Sequence, residues 1–343
     1  MSALAVPYQL FVGIDIAAAS ASVACATDPR SVAPAFTIAQ TPAGFADLVA
    51  RLRRQHLPAA AVLVALEATN TYWISLALHL HDAGYAVSVI NPAQAHQFAK
   101  ALLKRAKTDA IDAQTLAQLA ATLQPKPWTP PPAIYEELRQ RLLQRENLIG
   151  ALTQERNRLD ALRHRPTVIA SVQARSERWI AWCETEIATL DAELTTLLDQ
   201  AGEWQAAAER LRTVPGIGPI TAGWLLVETL AFTMCATPQQ ATAGCPPGRT
   251  GLAPHTYESR TSVRRRGRIG HGGNAALRRA LYMASLSAGR HNPHIKAFYE
   301  RLRAAGKPVK VARCAAARKL LHLCWAVVTR DIDYDPHYGL GTP

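Results

Sequence analysis

The sequence predicts a multidomain protein with an α/β domain first, a long helical arm next, and a basic, mainly α-helical domain last. Strand-like apolar runs alternate with helical patterns over residues 8–122. A proline-rich segment at 124–132 then excludes both a helix and a central strand. Residues 134–200 carry apolar positions spaced by three, four and seven, which is typical of a two-helix hairpin or coiled coil. The boundaries that we expect are an α/β domain at 1–123, a linker at 124–133, an arm at 134–201, a C-terminal domain at 202–330 and a tail, frayed after Asp331, at 331–343.

The first domain has the layout of a ribonuclease-H-like fold. Its expected strands, in chain order, are 11–16, 22–26, 35–39, 61–66 and 86–90. Its expected helices are 42–56, with Thr41 as the N-cap, 70–83 and 109–122. Three early strands followed by alternating helices and strands indicate that fold. The competing interpretation of Gly13-Ile14-Asp15 is the phosphate hairpin of actin-like ATPases, and the absence of later glycine-rich phosphate loops argues against it.

Four acidic residues of this domain are candidate metal ligands. Asp15 and Glu67 each end an apolar run that predicts a buried strand. Asp109 and Asp112 lie three residues apart in the first turn of a predicted helix, so they share one helix face. Carboxylates are the ligands that Mg²⁺ prefers, and two such ions can clamp a phosphodiester. The alternative for each residue alone is a turn or a helix cap.

The charge of the chain is concentrated in its C-terminal part. The formal net charge is +12, yet residues 249–319 alone contain 17 lysine and arginine residues and two acids. An excess confined to one segment points to a polyanionic partner, most commonly nucleic acid, rather than to a solvated basic surface.

Other bulk properties exclude several classes. No run of about 18 apolar residues predicts a membrane span, and no secretory signal is found. Six cysteines never form Cys-x-x-Cys, so we expect neither a zinc site nor a disulfide framework. A cytoplasmic protein is therefore expected.

Two motifs stand out in the C-terminal part. Gly216-Ile217-Gly218 lies between helical stretches and is typical of a helix-hairpin-helix turn, whose backbone N–H groups hold a DNA phosphate; an ordinary tight turn would look the same. Ser259 lies in a glycine-rich segment beside a dense arginine run and could present its hydroxyl to a bound phosphate, or it could be part of a solvated basic loop. The candidate phosphate contacts are Gly216, Gly218, Arg264, Arg265, Arg266, Arg268, Arg278 and Arg279.

Seven motifs in order resemble the DEDD-motif transposases of the IS110 insertion-sequence family, which are bridge-RNA-guided recombinases related to Piv-type DNA invertases. The motifs are Gly13-Ile14-Asp15, Leu66-Glu67-Ala68-Thr69, Val89-Ile90-Asn91-Pro92, Lys107-Thr108-Asp109-Ala110-Ile111-Asp112-Ala113, Val214-Pro215-Gly216-Ile217-Gly218, Tyr257-Glu258-Ser259 and Leu277-Arg278-Arg279-Ala280-Leu281-Tyr282-Met283. Arg260 stands where the family usually has glycine, and Thr261 and Ser262 offer further hydroxyls nearby.

This resemblance implies a RuvC-like domain in which Asp15, Glu67, Asp109 and Asp112 bind Mg²⁺, as two ions. It implies that Ser259 is the nucleophile of a C-terminal transposase domain and becomes joined to the cut DNA strand. The implied partners are donor and target DNA, a structured guide RNA and further copies of the chain in a dimer of dimers. The implied location is the cytoplasm, at the nucleoid. The alternatives are a RuvC-like nuclease that hydrolyses branched DNA, a Piv-like site-specific DNA invertase, and a nucleic-acid-binding protein with decayed sites.

Overall fold

The structure is a computed structural model with two compact units, Met1–Pro130 and Pro131–Pro343. The residues that it describes are 7–68, 71–103, 108–200, 202–233, 235–243 and 274–337, together with the backbone of 254–259 and 263–269. The first unit is mixed α/β, and the second is mostly helical.

In the described part of the first unit, five strands form one sheet in the order β3-β2-β1-β4-β5. The strands are β1 (Leu10–Ile16), β2 (Ser20–Ala26), β3 (Phe36–Ala39), β4 (Val62–Glu67) and β5 (Ala86–Ile90). Neighbours among β1, β2 and β3 run antiparallel, whereas β4 runs parallel to both β1 and β5. Each predicted strand is confirmed, and no end differs from the prediction by more than two residues.

Helices cover both faces of this sheet, which explains why β1 and β4 are apolar almost throughout. The helices of this unit are α1 (Pro42–Arg53), α2 (Trp73–Asp82), α3 (Pro92–Ala101) and α4 (Asp109–Leu123), with a 3₁₀ turn at Ala59–Ala61. Val12 and Ile14 of β1 lie in the core shared with α1 and α2. Phe11 of β1 lies in the core shared with α3 and α4.

Capping residues set where these helices begin. Thr41 accepts a hydrogen bond from the Gly44 amide at 3.2 Å, as its predicted N-cap role requires. Helix α3 was not predicted, because Asn91-Pro92 was interpreted only as the end of a strand. Asn91 in fact caps α3 by accepting a hydrogen bond from the Ala93 amide at 2.8 Å.

The proline-rich segment is docked on the first unit. The Trp128 amide donates to the Val87 carbonyl at 2.6 Å, and the Ser88 hydroxyl donates to the Pro125 carbonyl at 2.8 Å. The Trp128 ring also meets Trp73 edge-on at 5.5 Å between ring centroids. This segment therefore adds packing to β5 instead of acting only as a spacer.

Two long antiparallel helices form the arm of the second unit. The helices are α5 (Ile134–Arg163) and α6 (Ala170–Asp199). Cross-helix ion pairs run from Arg141 to Glu193 near one end and from Arg163 to Glu177 near the other, which fixes the antiparallel register. The predicted two-helix hairpin is thus observed, with a break at the predicted position.

The described helices in the rest of the second unit pack around one apolar core, and two strands form a separate hairpin. The elements are a 3₁₀ turn at Gly202–Trp204, α7 (Gln205–Thr213), α8 (Pro219–Thr229), α9 (Pro238–Ala243), β6 (Pro254–Ser259), β7 (Val263–Ile269), α10 (Ala275–His291), α11 (Pro293–Ala304) and α12 (Val309–Thr329). Trp224, Leu281 and Leu320 lie fully inside this core. None of the described helices is long and apolar enough to cross a membrane.

Three expectations for this unit differ from the structure. The segment around Ser259 was interpreted as a glycine-rich, basic loop, but β6 and β7 form an antiparallel hairpin. The tail was expected to fray after Asp331, but Arg210 pairs with Asp331 and Asp333, and the Tyr334 amide donates to the Thr213 hydroxyl at 2.9 Å. No disulfide was expected, but Cys235 is disulfide-bonded.

Candidate active site

Two neighbouring parallel strands each end in a carboxylate. Ile14 of β1 stands opposite Leu66 of β4 in the parallel register, and Asp15 and Glu67 follow directly. Side chains alternate between the faces of a strand, so Asp15 shares the face of Phe11 and Glu67 shares that of Leu63. Phe11 and Leu63 both pack in the core under α4. The two carboxylates therefore lie on the sheet face that α4 covers, and both are half-buried.

Helix α4 brings the other two carboxylates to this face. Thr108 caps it by accepting a hydrogen bond from the Ile111 amide at 3.3 Å, which places Asp109 and Asp112 in its first turn. Asp109 is exposed and Asp112 is half-buried. Further along, Leu116 is buried against the sheet. The apolar side of α4 thus anchors the helix, and its N-terminal turn carries the acids.

Gly13 permits the close contact between α4 and β1. A β-carbon added there would lie 2.1 Å from the Ala113 carbonyl oxygen and 2.1 Å from the Ala117 amide nitrogen. The two backbones therefore touch at a position where only glycine fits. The motif Gly13-Ile14-Asp15 did not by itself indicate this contact, and the available signal was a single glycine inside an apolar strand.

The four carboxylates act on one another electrostatically. Burial, which is the largest cause, and then the charges of Asp112, Asp109 and Glu67 together raise the pKa of Asp15 from its usual value of 3.8 to about 6. The Ile16 amide, which hydrogen-bonds to the carboxylate, opposes this rise. The structure therefore brings the other three predicted acids close enough to Asp15 to act on its carboxylate electrostatically.

The arrangement of the side chains is not that of a closed ligand shell. Within the residues that the structure describes, no group of three or more His, Cys, Asp or Glu side chains is arranged to hold a metal ion. Charges act over many ångströms, whereas ligation of Mg²⁺ requires oxygens at about 2.1 Å. The acids can therefore raise the pKa of Asp15 without forming a ligand shell. The donor chemistry itself, four hard carboxylates at one sheet edge, fits a divalent cation.

Ser259 is the last residue of β6 in the second unit. It stands opposite Val263 of β7, with Glu258 opposite Arg264 and Tyr257 opposite Arg265. The hairpin thus aligns the strand that ends at the serine with the arginine-rich strand. Of the sequence-predicted phosphate contacts, Arg264, Arg265, Arg266 and Arg268 all belong to β7. Arg260, Thr261 and Ser262 lie outside the described residues, as do Lys107 and Thr69.

The glycine turn joins α7 to α8. Gly216 has a φ of +103°, and a β-carbon there would lie 2.6 Å from the Ala288 β-carbon of α10. Gly218 is the N-cap of α8 and faces open space. Position 216 therefore requires glycine, because its backbone is left-handed and because α10 lies too close for a β-carbon. Neither reason applies at position 218.

Two arginines of α10 complete the predicted set. Arg279 forms an ion pair with Glu146 of α5, and its side chain is 57% exposed. Arg278 lies beside it, half-buried. The ion pair gives Arg279 a structural partner that the sequence did not indicate.

The chain is similar to known transposases and DNA-inverting proteins. A family profile described as a DEDD transposase of IS110 matches residues 12–163, and one described as the transposase of the IS116/IS110/IS902 family matches residues 208–300. The chain is 31% identical over 294 residues to the pilin gene-inverting protein of Moraxella bovis, covering 85% of this chain and 88% of that protein. It is also 31% identical over 329 residues to the pilin gene-inverting protein of Moraxella lacunata, covering 95% and 98%.

A protein of insertion element IS110 from Streptomyces coelicolor is 29% identical over 152 residues, covering 44% of this chain and 35% of that protein. The profiles match both the region that carries the four acids and the region that carries the glycine turn. The chain belongs to the IS110 family of transposases and DNA recombinases.

Proposed function

We propose that this recombinase cuts and rejoins DNA with Ser259 as nucleophile and with Mg²⁺ held by Asp15, Glu67, Asp109 and Asp112. The observation that carries the metal part is the effect of the other three acids on the pKa of Asp15. Carboxylates that lie at the ends of adjacent strands and on one helix turn, near enough to raise the pKa of Asp15, are typical of a site that binds a divalent cation. Bound Mg²⁺ would supply positive charge for the phosphate oxygens during strand transfer.

The serine step conserves the energy of the phosphodiester. The Ser259 Oγ would form a bond to phosphorus, the bond from phosphorus to one deoxyribose oxygen would break, and the serine proton would balance the hydroxyl that leaves. Attack by the hydroxyl of another strand on the serine ester would then rejoin DNA. The support for Ser259 is its place at the end of β6, paired with a strand that carries four arginines.

Recognition of nucleic acid is assigned to the basic second unit. We infer that Gly216 and Gly218 present backbone N–H groups to a DNA phosphate and that the arginines of β7, with Arg278 and Arg279, contact further phosphates. A structured guide RNA and assembly as a dimer of dimers complete the proposal, and the family resemblance supports both. The excess of basic residues over 249–319 supports a polyanionic partner in this unit.

Inversion of a DNA segment is the second candidate. It is favoured by 31% identity over almost the whole chain to a protein whose name is pilin gene-inverting protein. Inversion and transposition need the same cutting and rejoining chemistry and differ in how the ends are joined. Sequencing of the junctions made on a plasmid with two recombination sites would separate the two outcomes.

A denaturing gel tests the chemistry. The protein, co-expressed with the non-coding DNA that flanks its gene and purified with any bound RNA, is mixed with end-labelled donor and target DNA and Mg²⁺. We expect label to migrate with the protein, and we expect Ser259→Ala to abolish this band while Thr261→Ala and Ser262→Ala retain it. Cut DNA without an adduct, unchanged in Ser259→Ala, would replace the proposal by hydrolysis at a RuvC-like site.

A further inference from the structure

Two tryptophans on the arm face the solvent side by side. Trp179 and Trp182 lie one turn apart on α6, and each is 46% exposed. Their ring centroids are 4.9 Å apart, with 30° between the ring planes. Cys183, one turn after Trp179, is fully buried in the apolar cluster between α6 and α5, and neither tryptophan belongs to that cluster. The tryptophans therefore flank the contact with α5 and leave nearly half of their surface exposed, and large aromatic rings left exposed together mark a binding surface.

A groove runs beside Trp179 between the two helices of the arm. Its volume is about 500 Å³, and its lining includes Gln154, Arg158, Arg175 and Ser176. Glu155 also lines it, but Glu155 accepts hydrogen bonds from Ser176 and from Arg158, so its charge is compensated. The groove thus offers an aromatic wall, polar groups and a cation.

The arginines next to the tryptophans differ from most others on the arm. Arg145 pairs with Asp191, and Arg156 pairs with Glu184. Arg175 and Arg178, by contrast, are exposed and form no ion pair within the described residues. Cations without a protein partner beside exposed aromatic rings are the combination that binds single-stranded nucleic acid, where bases stack and phosphates are neutralised.

The exposed apolar stripe is too short for a seam between two copies of the arm. It consists of Ile169 at the N-cap of α6, Val172, Trp179 and Trp182, with Arg175 between them. The next positions at the same spacing are Glu186 and Thr189, which are polar. A coiled-coil seam requires apolar positions over three or four heptads, so charge and extent both favour a nucleic acid.

We propose that Trp179 and Trp182 stack on unpaired nucleobases of a single strand and that Arg175 and Arg178 contact its phosphates. This site deepens the proposed function, because it rests on nucleic acid being the partner of the chain. It does not depend on Ser259 or on bound metal. The adduct assay above can therefore succeed or fail independently of this site.

Binding measured without chemistry tests the proposal. Fluorescence anisotropy of labelled 12-nucleotide oligouridine and oligothymidine is followed with the full-length protein in EDTA, and a 12-base-pair duplex serves as a third probe. We expect Trp179→Leu with Trp182→Leu to weaken binding of single strands about tenfold, because leucine keeps the apolar surface but offers no ring face. Phenylalanine at both positions should retain most of the affinity.

The arginines need a matched control on the same arm. Arg175→Gln with Arg178→Gln should weaken binding and flatten its salt dependence, because two phosphate contacts are lost. Arg156→Gln changes the same charge at a residue that is paired with Glu184 and should have a smaller effect. RNA and DNA probes that respond equally indicate a general single-strand site, and a larger effect on RNA assigns the site to a guide RNA.

Three results would overturn the proposal. Leucine at both positions could bind single strands as tightly as the parent protein. The tryptophan variants could weaken duplex and single-strand binding equally. Alternatively, Trp179→Ala with Trp182→Ala could lower the mass seen by sedimentation without nucleic acid, which would make this face a contact between copies.

Discussion

Gly13 of β1 and Ala113 of α4 are in backbone contact, and a β-carbon on Gly13 would lie 2.1 Å from the Ala113 carbonyl oxygen. Gly13 is two residues before Asp15, and Ala113 directly follows Asp112. The contact therefore fixes the distance between the acids that the strands carry and the acids that the helix carries. Packing at one glycine thus determines the geometry of the candidate metal site.

Substitution Gly13→Ala should damage both stability and the metal site. The added methyl group meets backbone atoms, which cannot rotate away, so α4 must shift outward. We expect the free energy of unfolding to fall by about 3 kcal/mol, the upper end of the usual range for overpacking. Urea denaturation measures this loss, and Mg²⁺-dependent DNA cutting at a temperature where the variant is folded should fall with it.

Gly150→Ala is the control for this substitution. Gly150 lies inside α5, and a β-carbon there meets nothing within 4 Å. Alanine should stabilise that helix by about 0.5–1 kcal/mol. Equal stability of Gly13→Ala and the parent protein would show that α4 does not depend on this contact.

Local patterns predicted much of this fold. The apolar runs ending at Asp15 and Glu67, and the Thr108 cap before Asp109, are short-range signals, and the structure follows them. The break between α5 and α6 was likewise predicted from Arg165-Pro166, because proline interrupts a helix. Predictions of this kind succeed when the deciding residues are close in sequence.

Contacts between distant segments were not predictable in the same way. Nothing near Gly13 in sequence shows that Ala113 will touch it, a hundred residues later. The hairpin of β6 and β7 was missed because arginines and glycines suggested a loop, whereas strand pairing between the two segments organises them. Whether the four acids bind Mg²⁺ and whether Ser259 is the nucleophile stay predictions.

The raised pKa of Asp15 predicts an unusual dependence of stability on pH. Between pH 4 and 6 the folded protein keeps a proton on Asp15 that the unfolded chain has lost, because the pKa is about 6 in the folded state. The unfolded state therefore binds fewer protons, and stability falls as pH rises through this window. We expect Asp15→Asn to stabilise the metal-free protein at pH 7 by about 1 kcal/mol, after allowance for the solvent exposure of this side chain.

Thermal unfolding in EDTA at pH 5 and pH 7 measures this effect. Asp47→Asn, on the exposed side of α1, is the matched control and should change neither value. If Asp15→Asn stabilises the protein as much at pH 5 as at pH 7, the stabilisation does not come from removing a charged carboxylate that burial and the neighbouring acids disfavour.

Added Mg²⁺ should reverse this repulsion. A ligand that binds only the folded state raises its stability, so the melting temperature at pH 7.5 should rise with Mg²⁺ concentration. The rise should be smaller at pH 5, where protons compete for Asp15. Asp112→Asn should reduce the rise strongly, while Asp47→Asn should retain it. If millimolar Mg²⁺ does not change the melting temperature of the parent protein, the proposed site is contradicted.

The glycine turn offers a test of DNA contact that separates backbone shape from side-chain chemistry. Gly216→Ala places a methyl group 2.6 Å from the Ala288 β-carbon and requires a φ of +103°, so the turn must deform. Gly218→Ala meets open space at an ordinary φ of −92° and keeps its N–H group.

We expect Gly216→Ala to weaken binding of duplex DNA several-fold and Gly218→Ala to leave it nearly unchanged. Filter binding at two salt concentrations measures both variants. If both bind DNA as the parent protein does while Gly216→Ala is measurably less stable, the turn supports the fold against α10 and does not hold a phosphate.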